Sequence, residues 1–241
     1  MEIQFPKENI LYEDESILVI NKPAGFLSIQ DGYDKSLPYL SNILEPEFGS
    51  LWIIHRLDRD TSGVLILART EEAHRYLNTE FRNRRVEKKY HALVIGLPIW
   101  DDFIASFPLL KDGDRKHRTT INYKKGKKAS TQFHLLEKYN GFSLIEACPK
   151  TGYTHQIRTH LAYVGYPIVF DCLYSKSKLI THNEFRLDRQ FSIISLKRLG
   201  LHSRSITFMH PISFKEVTFF APYPADFSDA INALRNFSVI T

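Results

Sequence analysis

The stretch HRLDRDTSG, residues 55–63, lies between two apolar runs, Leu51–Ile54 and Val64–Ala68. Both flanks are aliphatic and β-branched and are bounded by turn formers, the pattern of short buried strands. Between them stand two arginines, two aspartates and the turn-forming Thr61, Ser62 and Gly63. Such an insert has to be a short connection held at the rim of a core. Charge pinned there is either paired or used in chemistry, because an isolated charge beside apolar surroundings is too costly to keep. Thr61 and Ser62 suit a turn, and Gly63 permits a backbone angle that other residues avoid.

The rest of the chain places that connection in a strand-rich fold. Ile17–Ile20 predicts a strand stopped by the turn at residues 21–25. Thr70 predicts a helix N-cap, with Glu71 and Glu72 at the positive end and Ala73, Tyr76, Leu77 and Phe81 turned to the core. Tyr90–Ile95 reads as a strand, and Phe133–Leu136 and Phe142–Ala147 as a pair around the turn Asn140-Gly141. Thr154 predicts the cap of a short helix through Val164, ended by Gly165 and Pro167. Ser205–His210 and Glu216–Ala221 predict a hairpin, and Phe227, Ile231 and Leu234 a last amphipathic helix. Many strands, few helices and no βαβ alternation argue for α+β with a mixed or antiparallel sheet.

With 43% hydrophobic residues over 241 positions, the chain can bury a sizeable core. No linker divides it, so a single domain over residues 1–241 is expected. No apolar run approaches the roughly 20 residues of a membrane span, and the opening residues lack the apolar centre of a signal peptide. Cys148 and Cys172 are the only cysteines, which excludes a disulfide framework and a cysteine-rich zinc site and makes a reducing cytoplasm the simplest location. His155 and His160 stand about 140° apart on a helix, and Cys148 has no partner at a zinc spacing, so no metal is expected. Neither a GxxxxGK nor a GxGxxG loop occurs, which removes nucleotide hydrolysis and hydride transfer.

The net charge is +5, but its distribution says more than its size. Residues 81–91 carry five basic side chains against one acid, and residues 111–128 carry eight against two. These windows include Arg82, Arg84, Arg85, Lys124, Lys125, Lys127 and Lys128. Such asymmetry is the footprint of a polyanion binder, and the interspersed Phe81, Tyr90 and Tyr123 suit either base stacking or strand core.

HRLDRDTSGVLILART resembles the signature of the RluA-type pseudouridine synthases. Four further segments resemble that family in the same order: ILYEDESILVINKPAG (10–25), KKYHALVIG (88–96), TGYTHQIRTHLAYVGYPI (151–168) and LHSRSITFMHP (201–211). Together they span nearly the whole chain. The resemblance implies a pseudouridine synthase fold, a mixed and mostly antiparallel sheet flanked by helices and loops, and an isomerase that converts uridines of structured ribosomal or transfer RNA to pseudouridine. It implies neither cofactor nor metal, no obligate protein partner, and action as a monomer. Because the chain opens on the catalytic segment, a separate N-terminal RNA-binding domain is not expected. A rival reading is a non-catalytic RNA-binding or RNA-folding protein on the same scaffold.

The family roles map onto particular residues. Asp58 corresponds to the catalytic aspartate, which either attacks the anomeric carbon or takes a proton from the adjacent sugar carbon. Arg158 corresponds to the arginine that keeps this carboxylate ionised, and Tyr90 to the tyrosine lying against the target base. Arg56 corresponds to the side chain that enters the space left by a flipped uridine. His55 is expected to hydrogen-bond the loop beside the substrate, and Leu201, with Leu199 as rival, to line the uracil pocket. Three departures from the family pattern stand out: Tyr153 in place of an arginine, Phe170-Asp171 in place of Gly-Asp, and Ser28-Ile29-Gln30 in place of a histidine-proline.

Overall fold

A computed structural model of the chain describes residues 5–32, 34–175 and 196–239. The strands are β1 (Ile10–Glu13), β2 (Ile17–Lys22), β3 (Trp52–Ile53), β4 (Ser62–Ala68), β5 (Glu87–Ile95), β6 (Asp102–Ala105), β7 (Leu109–Leu110), β8 (Thr120–Ile121), β9 (Thr131–Lys138), β10 (Phe142–Pro149), β11 (Leu201–Met209) and β12 (Glu216–Phe220). The helices are α1 (Leu40–Phe48), α2 (Glu71–Arg82), α3 (Gln156–Tyr163) and α4 (Ala225–Val239). The fold is α+β, with pairing that is mostly antiparallel and made mixed by the parallel contact of β4 with β11. Two compact units carry it, Met1–Lys89 with His202–Pro222, and Tyr90–Leu201 with Tyr223–Thr241.

In the first unit β2 and β4 pair antiparallel from Ile17↔Ala68 to Lys22↔Gly63. Both strands are buried at every position. A strand covered on both faces reads as a continuous apolar run rather than an alternation, which is how these two appear in the sequence. β1 lies on β2, β3 on β4, and β12 on β11. Thr70 caps α2 as expected, its Oγ1 accepting from the Ala73 amide at 3.2 Å. Ala73 and Leu77 are buried against Ile17, Val19, Val64, Ile66, Ile206 and Phe208, with Tyr76 and Phe81 packed around them.

The second unit pairs β5, β10, β9 and β6 antiparallel in that order. Gly141, at φ +80°, makes the turn between β9 and β10. Phe227, Ile231 and Leu234 of α4 pack on Leu93, Phe142 and Leu144. The N-terminus of α3 departs from expectation. His155, in the left-handed conformation at φ +53°, precedes the helix, and no side chain caps it. Gln156 organises the approach instead, its Oε1 accepting from the Thr151 hydroxyl (2.7 Å) and the Tyr153 amide (3.2 Å). Gln156, the first residue of the helix, thus orders the segment before it but does not supply the cap expected of Thr154. Helix α1 was not foreseen; it is short, carries Pro46 inside, and buries only Leu40, Ser41 and Leu44. Among the described residues no helix is long and apolar enough to cross a membrane.

The parallel pairing of β4 and β11 brings Ser203 directly beside Gly63, which sits at φ +114°. A methyl group at Gly63 would lie 2.2 Å from the Ser203 carbonyl oxygen. Backbone cannot yield there without parting the strands. Gly63→Ala is therefore expected to destabilise the protein by more than about 2 kcal/mol, through strain and overpacking together. Chemical denaturation measures it, and an unchanged midpoint would contradict this packing.

Candidate active site

The connection at residues 55–61 is held from below by the end of β2 and the turn after it. Lys22 has no exposed surface. Its ammonium donates to the carbonyls of Pro23 (2.9 Å), Phe26 (3.0 Å) and Arg59 (3.0 Å). A buried cation is tolerable only with such a set of acceptors. The Gly25 amide donates to the Arg59 carbonyl at 2.8 Å, and the Arg59 Nε–H returns to the Gly25 carbonyl at 3.1 Å. Ser28 closes the other side, donating to the Leu57 carbonyl (2.8 Å) and accepting from the Leu57 amide (3.1 Å). Both chain neighbours of Asp58 are thus fixed, and the Thr61 amide donates to the Asp58 carbonyl at 3.1 Å. Ser28 belongs to a stretch that departs from the family pattern, and here it serves as a clamp.

Around this loop the side chains separate by role. Asp58 is half-buried, and Arg56 is exposed. His55 accepts from the Ile66 amide through Nε2 at 3.1 Å and stacks on Phe81, ring centres 4.9 Å apart. Loss of hydration, and then the nearby Lys88, push its pKa down to about 3. At neutral pH it is an uncharged imidazole bonded to the backbone of β4 rather than to the loop as expected. Ser62 donates to Nδ1 of the buried His202 at 2.9 Å, and the His202 Nε2–H faces the Ala221 carbonyl at 3.2 Å. That contact fixes the far end of the loop to β11.

In the second unit Arg158 lies in α3, almost wholly buried, and forks onto Asp171. Nε donates to Oδ2 and Nη2 to Oδ1, each at 2.8 Å. Asp171, 1% exposed, is held in turn by the Leu173 and Tyr174 amides at 3.1 and 3.2 Å. The guanidinium carbon stands 5.2 Å from the centre of the Tyr174 ring. The Tyr174 hydroxyl accepts from the Thr119 amide (2.9 Å) and bonds Nδ1 of His155 (3.0 Å). An arginine with fixed plane and direction suits a planar anion. Asp171 follows Phe170, which holds φ +57° where the family pattern has glycine.

Other expected residues fall as follows. Tyr90 lies in β5 opposite Ala147 and is buried. Leu201 and Leu199 are both buried, so burial does not separate the rivals. Arg82, Arg84 and Arg85 follow one another at the end of α2, and Lys124, Lys125, Lys127 and Lys128 around a turn; all seven are exposed. Arg85 pairs with Glu80 at 3.1 Å. His155 and His160 have separate partners, Tyr174 for the first and Thr131 with the Phe107 carbonyl for the second. Sequence reading missed Lys22, Ser28, Tyr174 and His202. The one available signal was Lys22, a cation ending a strand that is otherwise apolar but for Asn21.

A sequence profile of the RNA pseudouridylate synthase family matches residues 16–163. The chain is 40% identical over 230 residues to the ribosomal large subunit pseudouridine synthase C of Buchnera aphidicola subsp. Baizongia pistaciae, covering 93% of this chain and 70% of that protein. It is 36% identical over 230 residues to the protein of the same name from Vibrio cholerae, covering 94% and 69%. Among solved structures, human RNA pseudouridylate synthase domain containing 4 superposes with a TM-score of 0.77 at 24% identity, over 95% of this chain and 93% of that one.

The His55 environment makes a pH prediction. Unfolded, this group titrates near 6.5, and folded near 3. Between those values the unfolded chain binds the extra proton. The stability tied to His55 is therefore complete above pH 6.5 and is lost as pH falls toward 3, with a slope of at most about 1.4 kcal/mol per pH unit. His55→Asn is expected to flatten this acid limb in denaturation curves recorded at several pH values. Equal slopes in the two proteins would contradict the neutral, backbone-bonded ring.

Proposed function

As a member of the RNA pseudouridylate synthase family, to which the chain belongs by the match over residues 16–163 and 40% identity to a curated relative, the protein isomerises uridine in RNA, and we propose that its substrate is the large ribosomal RNA, with Asp58 as the reacting carboxylate. The relatives named for the large ribosomal subunit support the substrate. The observation that carries the assignment of Asp58 is the clamp on Leu57 and Arg59, which fixes a half-buried carboxylate between two immobilised neighbours. A carboxylate so placed is pre-organised for attack or for proton abstraction.

The isomerisation breaks the bond from the anomeric carbon to the ring nitrogen, turns the uracil, and joins ring carbon 5 to the same sugar carbon. Carbon 5 loses a proton and the freed nitrogen gains one, so no atom is consumed and no electron is exchanged. Asp58 serves the sugar carbon in this scheme, and Tyr90 and Arg158 complete the catalytic set. Arg158 brings a guanidinium already oriented by Asp171 and Tyr174. Arg56, exposed and next but one to Asp58, takes the place of the uridine that must leave its stack, a step costing a few kcal/mol. Leu201 faces the extruded base, His55 supports the loop beside it, and the basic side chains at 82–85 and 124–128 bind phosphate.

Incubating the protein with large-subunit ribosomal RNA and mapping new pseudouridines tests the reading. The wild type is expected to modify discrete positions, and Asp58→Asn to reduce the single-turnover rate at least a thousandfold while RNA affinity changes less than tenfold. Modification of transfer RNA alone would overturn the substrate, and near-normal turnover by Asp58→Asn would overturn the carboxylate.

A further inference from the structure

Adjacent strands of the second unit align a row of metal-ligating side chains that sequence spacing does not reveal. Asp102 of β6 is the direct cross-strand partner of His134 in β9, His134 of Glu146 in β10, and Glu146 of His91 in β5. Direct partners project on one face. Cys148, two residues beyond Glu146, shares that face. Their neighbours Phe133, Ile145 and Ala147 are fully buried on the other. The row is therefore a polar band on the face opposite the apolar side of these strands.

Within this band His134, Glu146 and Cys148 bring one donor atom each to within 4.8 Å of one another, and all three are partly buried. We infer that they form a binding site for a thiophilic divalent cation, zinc being the natural occupant. A nitrogen, a carboxylate oxygen and a thiolate sulfur are the donor set that ion takes. Tetrahedral bonds of about 2.0–2.3 Å set donors roughly 3.3–3.8 Å apart. Closing the site to those spacings asks for side-chain shifts of about an ångström. Solvent completes the coordination.

The groups behind these three match what metal ligands require. Nδ1 of His134 bonds the Asp102 carboxylate, which keeps the proton on that nitrogen and the lone pair on Nε2, the arrangement that orients a metal-bound imidazole. Glu146 is steadied from the far side by His91, whose Nε2 lies 3.6 Å from Oε2. His91 is held in turn through Nδ1 by the Tyr223 hydroxyl. Cys148 points its sulfur at Oε1 of the same carboxylate, 3.7 Å away. On binding, the thiol gives its proton to solvent. The ion would tie β9 to β10 and, through Asp102, to β6. It takes no part in the isomerisation.

Cobalt(II) is the probe, because a thiolate ligand gives a near-ultraviolet charge-transfer band and tetrahedral coordination gives visible bands. The reduced full-length protein is expected to bind one equivalent with both features, and zinc to displace it. Cys148→Ser should abolish the charge-transfer band, His134→Gln should raise the cobalt dissociation constant at least tenfold, and Asp102→Asn should raise it about tenfold. Cys172→Ser, altering the exposed second cysteine, should change nothing. Circular dichroism establishes that each variant is folded. Absence of saturable binding, a band that survives in Cys148→Ser, or one lost in Cys172→Ser would overturn the site. Should Cys148→Ser fail to fold, an unaltered cobalt affinity in His134→Gln would overturn it alone.

Discussion

One buried ammonium organises the first unit. Lys22 ends a strand that is otherwise apolar but for Asn21, and it gathers three carbonyls from two separate segments, the turn at residues 23–26 and the loop at Arg59. Charge-assisted bonds of this kind contribute about 1.5–3 kcal/mol each, offset in part by the cost of burying the ammonium. The reciprocal Gly25 and Arg59 contacts and the Ser28 clamp on Leu57 follow from that anchoring. The backbone on either side of Asp58 is thereby held in place. An aspartate on a free loop would sample many directions; anchoring the backbone of this one narrows that search before RNA arrives.

The second unit uses the same logic with opposite signs. Asp171, buried and fixed by two amides, holds the Arg158 guanidinium by one edge, and Tyr174 lies along its face. Five N–H donors in a rigid plane make direction the useful property of an arginine. Asp171 takes two of them and sets where the others aim. Phe170 keeps the left-handed backbone that aims Asp171, at a conformational cost that a glycine would avoid. Its ring packs against the core containing Leu93 and Phe227, which offsets that cost.

Much of this was legible in the sequence, and the reasons are local. The continuous apolar runs of β2 and β4, the Thr70 cap and the turn Asn140-Gly141 each follow from propensities acting over a few residues. So did the identity of HRLDRDTSG as a strand–loop–strand connection. What escaped depends on partners distant along the chain. The Lys22 cage joins residues 22 and 59, the Ser62–His202 contact spans most of the chain, and Gln156 folds back on the segment before its helix. The alignment of His91, His134, Glu146 and Cys148 exists only through strand register, which spacing rules for metal ligands do not sample. Arg158 was found by motif, but its bond to Asp171 was not, because nothing in the sequence marks the first acid after Glu146 as its partner.

The central claim is that catalysis depends on the anchoring of the Asp58 loop by Lys22. The most direct measurement is single-turnover pseudouridine formation by Lys22→Met, a change that keeps length and removes the charge. Folding is checked by near-ultraviolet circular dichroism and RNA affinity by titration. The anchored loop predicts a folded protein, less stable by about 2–4 kcal/mol. RNA affinity should stay within threefold and the chemical step should slow at least a hundredfold. A folded Lys22→Met protein that turns over at the wild-type rate would contradict it.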